Sequence, residues 1–547
     1  MPAAKSVSRR RPAADPADFD DGFAGLSHAI AHLLGKTPEA IIGLIEILLQ
    51  ADDEHQAPRR KSKGAGKNAN RKRMSEADLF AHGLLLSQAL QELRYDVERN
   101  RKEAIAQTEY LRQYLLEAGQ RPGINPNMFL FVLQRFAAAK VDAGDELRAL
   151  AEQVLANLAG SLPKDDTASV QEIANQLKDV AHAMNGDPFA VYGAIQEFTQ
   201  TLPPEVRAMF VMAVQVQKDV PALRDATLGW LLDDAAEVRQ IVAQVLEKDA
   251  ANNSGATLRR MIALRNWVPE ADRPVLDRAI KASQKKVACA SWPAAKVLAA
   301  YASGFDGSGA QSVFVIAGQG RKRALAALLF KQGIGVRDAW ADHGGTEAEV
   351  DAKFQALAMQ MDLLPVSLEY VAVAMRHFLG VSAQSGIMPP YGLLDVAETA
   401  GVTSLNPEFQ PLDALLSSLC AEIAPERAAP QAIAKALKTS ASWGENQPMV
   451  WSWFEESDEV DAILTQRRLS KAKRKTALLA MPLQKRRHWW AALIAWAGYT
   501  IKHTPGASGW EDYILVAREL LGDRPLDEFG IMNQIAEATV ANCTGRG

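Results

Sequence analysis

Apolar positions recur along much of this chain in steps of three and four, the spacing that lines them up on one face of a helix. The pattern is clearest from residue 191 to 284. Val206, Met209, Phe210, Ala213 and Val214 form one stripe, and Val238, Ile241, Val242, Val245 and Leu246 form another. Phe198, Trp230 and Trp267 each stand eight positions before a valine, namely Val206, Val238 and Val275. Pro and acidic residues fill the gaps, as at 202–205, 233–237 and 269–272. Further helices, opening with Leu223-Arg224 and Leu258-Arg259, precede the second and third aromatics. The aromatic-to-aromatic steps are 32 and 37 residues, about the length of one stacking helical hairpin. A lone hairpin cannot cover its apolar face, whereas a neighbour of the same pattern can.

The run at 233–239, Asp-Asp-Ala-Ala-Glu-Val-Arg, with Ala243 and Leu246 downstream, resembles the second helix of a HEAT-like repeat. In that family an Asp caps the helix and a Val-Arg pair follows. The third copy departs from the pattern, because Leu276 stands where Arg is expected and Pro274 precedes the valine. The resemblance is confined to residues 191–284. It implies an all-α fold, an α-solenoid of HEAT-like helical hairpin repeats with helical N- and C-terminal parts. The competing reading is an irregular helical bundle whose hairpins recur by chance.

Around this core the chain is expected to contain a disordered tail (1–21), a helical arm (22–50), a basic flexible linker (51–75) and a helical bundle (76–190). The repeat core (191–300), a helical region with a Gly-rich loop (301–440) and a Trp-rich helical C-terminal region (441–547) follow. In the arm, Thr37 can cap a helix that Pro38 begins, and Ile41, Ile45 and Leu48 share one face. Fold-back onto the body is favoured over a detachable docking arm. The stretches from Trp292 to Tyr301 and from Ala324 to Phe330 read as helices, while Ser312–Ile316 is strand-like. Gly318-Gln319-Gly320 and Arg321-Lys322-Arg323 then suggest a strand, a Gly-rich turn and a helix start that favours anions. Arg323 occupies the place where a dinucleotide fingerprint needs a small residue, and there is no Walker motif. A loop with an incidental basic turn is the preferred account. An enzyme with a site near 306–323, using Asp306, Arg321 and Arg323, is kept as an alternative.

Charge changes this picture only locally. The net charge of −4 over 547 residues exerts no general pull toward nucleic acid or acidic membranes. Residues 59–73 are basic without an acidic residue among them, a run that repels itself and stays extended. The C-terminal region holds seven of the 11 tryptophans, with an acidic cluster (Glu455 to Asp461) ahead of basic ones at 467–475 and 485–487. Basic residues beside aromatics suit single-stranded nucleic acid or a membrane surface. They equally suit a core of tryptophans whose arginines pair with the acidic neighbour, which is the favoured reading. Candidate macromolecule-binding residues are Arg59, Arg60, Lys61, Lys485, Arg486 and Arg487.

Cys289, Cys420 and Cys543 are odd in number and widely spaced, which argues for a reducing compartment and against a disulfide framework or zinc site. No apolar run is long enough for a membrane span, and cytoplasmic location is expected. His28 and His32 have metal-ligand spacing on a helix, but no third ligand is evident. No catalytic, cofactor or metal residue is therefore assigned. The chain reads as a non-enzymatic helical-repeat scaffold or adaptor with a protein partner, the alternative being a nucleic-acid-associated protein using 59–73 and 467–490.

Overall fold

The structure is a computed structural model and describes residues 38–53, 73–74, 76–98, 101–161, 175, 177–200, 202–217, 219–294, 296–359 and 361–544. The expected tail, the first arm helix with His28 and His32, and the basic residues Arg59, Arg60 and Lys61 lie outside them. So do the side chains of Phe198 and Cys543. The chain divides into two units, Met1–Lys164 with Glu197–Pro203, and Asp165–Gln196 with Pro204–Gly547.

The first unit is built from helices α1 (Pro38–Leu49), α2 (Glu76–Glu98), α3 (Lys102–Gly119), α4 (Pro126–Ala138) and α5 (Asp145–Ser161). Asn125 starts α4 by accepting the Asn127 amide on its side chain, 3.1 Å away, and Pro126 needs no hydrogen bond at the first helical position. Ile41, Ile45 and Leu48 are fully buried with Leu90, Leu111, Phe129 and Phe136, so α1 is part of this core. Glu46 of α1 binds both Tyr114 and Arg121.

In the second unit, α6 (Pro188–Thr199), α7 (Pro204–Val216), α8 (Pro221–Ala226), α9 (Ala236–Lys248), α10 (Gly255–Leu264) and α11 (Arg273–Gln284) come first. The valine-arginine pairs have a common contact. Arg207 at the start of α7 reaches forward to Asp233, at 2.8 and 2.9 Å, and Arg239 on α9 reaches forward to Asp272 at 2.7 Å. Both pairs are largely buried, with planar forks on carboxylates that lie just ahead of α9 and α11 respectively. Leu276, at the corresponding place on α11, packs into the core instead, and the ladder ends there. Trp230 and Trp267 are buried in the same cluster, and the Trp267 indole donates to Leu405 O at 2.7 Å.

The chain then forms a sheet, which overturns the all-α solenoid. Strands β1 (Val297–Ser303), β2 (Ala310–Gln319), β3 (Lys322–Lys331), β4 (Gly335–Gly345) and β5 (Leu363–Pro365) pair antiparallel in the order β4-β3-β2-β1-β5. The unit is mixed α/β, and neither a solenoid nor a stacked-repeat scaffold describes it. Of the stretches expected as helices at 292–301 and 324–330, residues 297–301 belong to β1 and the whole of 324–330 to β3. Their periodicity misleads because helices cover both faces of the sheet. Val313, Val315, Ala326, Leu328 and Phe330 face one core, while Phe314, Ile316, Leu325 and Ala327 meet Val350 and Phe354 of α12 (Glu347–Ala358) on the other. A strand buried on both sides shows no alternation and reads as a continuous apolar run. Gly320 (φ +64°) turns the two-residue hairpin between β2 and β3, so the Gly-rich segment is a hairpin turn with no phosphate-binding helix after it.

After the sheet come α13 (Leu368–Ser385), α14 (Gly392–Ala400), α15 (Leu412–Ala421), α16 (Pro430–Thr439), α17 (Asp458–Leu464), α18 (Lys471–Ala480), α19 (Arg487–Lys502), α20 (Trp510–Leu520) and α21 (Gly530–Thr544). Trp453, Trp490 and Trp496 are core residues, and Trp443 stacks on Tyr513 at 3.7 Å. Trp451 is the exception, 65 % exposed.

α14 is locked to the helical region by ions. Glu398 accepts from Arg259 Nη2, Arg260 Nε and Arg260 Nη2, all at 2.9 Å. Gly392 lets the same helix press against β4, since a Cβ there would lie 2.0 Å from Ala339 O.

Candidate functional site

A cleft of about 660 Å³ is bounded by α13, the loop 408–411, α15 and the end of α19. Ser367 fixes the start of α13 by accepting the Tyr370 amide, and its hydroxyl also lies 3.0 Å from His503 Nδ1. About two turns of α13 further on, Arg376 pairs with Glu408 at 3.3 Å and accepts the Glu408 amide on its own carbonyl, which holds the loop against the helix. Lys502 pairs with Glu422 from the α15 side at 2.5 Å. Glu369 adds a third carboxylate. With Arg376 and Lys502 the only Lys or Arg lining the cleft, its walls are net acidic.

Aromatic rings form its inner surface. His377 sits among Trp496, Phe378 and Phe409, with ring centroids 4.4, 5.0 and 5.4 Å away. Its Nδ1 accepts the Gln410 amide at 3.1 Å, which leaves the ring proton on Nε2. Burial pushes His377 down to about 4, so the ring is a neutral donor near pH 7. Burial also lowers His503 and raises Tyr499 to about 12. This arrangement offers ring faces, one fixed N–H donor and carboxylates that outnumber the cations. It is suited to holding a cationic group beside an apolar stem.

The residues singled out from sequence fall elsewhere. Lys485 is paired with Glu459 at 2.7 Å, and Arg486 binds Glu455 at 3.1 Å while lying 3.9 Å over the Trp489 ring. Arg487 donates to the carbonyls of Leu520 and Arg524. These three stitch the C-terminal helices together. Arg467, Arg468, Lys471 and Lys473 remain exposed, without a carboxylate partner among the described residues. Asp306 is bonded within its own turn to Ser308 and Ala310 at one end of β2, whereas Arg321 in the hairpin turn and Arg323, opposite Gly318, lie at the other end. A ten-residue strand is roughly 30 Å long, so these groups form no common site. The cleft itself was missed, because Arg376, His377, Glu408 and His503 come from segments far apart in sequence. The only signal was the clustering of His and aromatic residues on two helices.

Comparison with known proteins adds two matched segments. Residues 203–287 match a family described as the Y4lR second domain, and residues 413–544 match the Y4lR C-terminal helical domain. The chain is 23 % identical over 370 residues to the uncharacterized protein y4lR of Sinorhizobium fredii (strain NBRC 101917 / NGR234), covering 65 % of this chain and 69 % of that one. No solved structure matches significantly. The first matched segment contains the arginine–aspartate ladder, and the second supplies the α15 and α19 walls of the cleft. No helix of the described residues is long and apolar enough to cross a membrane.

Proposed function

We propose that the chain is a protein-binding module whose cleft takes a polypeptide segment bearing a basic side chain. The observation that carries this reading is the acidic, aromatic-lined cleft. Glu369 and Phe409 stand where an incoming ammonium or guanidinium would meet a charge and a ring. The ion pairs already present supply partners that a peptide's own charges can replace. Cytoplasmic location belongs to the same reading and rests on the unpaired Cys289 and Cys420.

A titration of the full chain with fluorescent peptides that carry a central Lys, Arg, Glu or Ala tests it. Basic peptides should bind at least about tenfold more tightly than the others. Glu369→Lys and Phe409→Ala should each remove that preference. Equal binding of acidic peptides, or unchanged binding by both variants, refutes the proposal.

A second reading has one observation in its favour, the exposed cations Arg467, Arg468, Lys471 and Lys473, which have no carboxylate partner among the described residues. Including labelled single-stranded DNA in the same titration separates the two. Binding to a polyanion would weaken steeply with salt and respond to Arg467→Glu with Arg468→Glu, leaving the cleft variants silent.

A further inference from the structure

We infer that Asp187, His343 and Asp395 form a binding site for a divalent transition-metal ion, with zinc the best match. The three come from separate elements. Asp187 stands immediately before α6, His343 lies on β4 and Asp395 is in the first turn of α14. Each offers one ligand atom, and these atoms lie within 4.8 Å of one another. His343 Nε2 and Asp395 Oδ1 are hydrogen-bonded at 2.8 Å, so an ion would take the place of that proton and open the pair to about 3.4 Å, the separation of donors in a tetrahedral site. The convergence depends on Gly392, which allows α14 to approach β4 closely enough to present Asp395 to that strand.

A second observation is independent of the spacing. The Asp395 side chain is only 5 % exposed, yet its carboxylate has no hydrogen-bond partner outside the cluster among the described residues. A buried carboxylate is ordinarily matched by donors or a cation. This fold supplies that match one turn further along the same helix, where two guanidinium groups hold Glu398. Among the described residues no Lys or Arg is paired with Asp395 or Asp187.

The surroundings favour a cation further. Asp187 uses Oδ1 to cap α6, accepting from Phe189 N at 2.9 Å, and this leaves Oδ2 for a ligand. Asp342 and Glu398 also face the group, and each is already tied to its own partner, Lys353 and the two arginines respectively. Burial raises Asp395, as expected for a carboxylate whose charge is incompletely matched. One imidazole nitrogen and two carboxylate oxygens suit Zn²⁺ or Mn²⁺ better than the all-oxygen preference of Ca²⁺ or Mg²⁺. Three protein donors leave at least one position for water. An ion here would join α6, β4 and α14, and the site is separate from the peptide cleft.

The test is calorimetric titration of the chelator-treated full chain with Zn²⁺, Mn²⁺ and Mg²⁺, together with the absorption spectrum of the Co²⁺-loaded protein. One equivalent of Zn²⁺ should bind, more tightly than Mg²⁺ by at least about a hundredfold. His343→Gln should weaken binding by at least about tenfold and shift the Co²⁺ bands. Asp187→Asn, at a partly exposed position, should weaken it while the circular dichroism stays unchanged. If the native chain takes up no ion, the three side chains are an ion pair with a neighbouring cap only. If His343→Gln and Asp187→Asn both bind as the native chain does, any ion sits elsewhere. Either result overturns the inference.

Discussion

Two carboxylates one turn apart on α14 are buried to a similar degree, and their surroundings differ. Glu398 lies between Arg259 and Arg260, with three hydrogen bonds of 2.9 Å, and this pairing holds it below the usual carboxylate range although burial alone would raise it. Asp395 has His343 alone, and burial raises it. The two directions follow from one balance between desolvation and compensation. Where compensation is complete, a buried charge serves to join elements, as Glu398 joins α14 to α10. Where it is partial, the site retains affinity for something else. His377 shows a third solution, in which a buried ionisable ring remains neutral and binds through a single backbone amide.

All 11 tryptophans lie in the second unit, so their fluorescence follows its unfolding selectively. The largest effect is expected from Glu398→Ala. This change leaves two buried guanidinium groups without their shared acceptor and should cost about 3–5 kcal/mol in urea denaturation. A loss below about 1 kcal/mol would mean that the ions are not coupled as the geometry indicates.

Next comes the acid response of His377. Its pKa in the folded chain is depressed to about 4 from an ordinary 6.5. The unfolded state therefore binds the extra proton between these values, and stability falls as pH drops from 6.5 toward 4. The full effect is about 3 kcal/mol. His377→Gln should flatten that part of the pH profile, and an unchanged profile would show that another group is responsible.

The smallest effect belongs to Asp395→Asn in the presence of a chelator. Removing an incompletely matched charge should change stability by less than about 1 kcal/mol, or raise it. A loss as large as that of Glu398→Ala would erase the contrast between the two carboxylates.

Much of the helical architecture was legible without coordinates. Within the helical bundle expected at 76–190 lie α2, α3, α4 and α5, because each turns one face to water and one to a core. The recurrence at Val206-Arg207 and Val238-Arg239 coincides with the Asp233 and Asp272 contacts. The sheet was not legible. β3 reads Lys-Arg-Ala-Leu-Ala-Ala-Leu-Leu-Phe-Lys, and its four consecutive buried residues leave no period of two to detect. The tryptophan-rich region was read as core with paired arginines, and Arg486 with Glu455 and Trp490 has that arrangement.

Pattern and composition determined many of the helical segments, that the C-terminal tryptophans can build a core, and that Lys485 and Arg486 have acidic neighbours within reach. These properties are local, or depend on segments close in the chain. Tertiary structure alone decided that the middle of the second unit is a sheet and that His377 meets Phe409 and Trp496. It also brought Asp187, His343 and Asp395 together across more than 200 residues. Neither proximity between distant segments nor burial on both faces of a strand leaves a period in the sequence, because each is a property of the neighbours a residue acquires on folding.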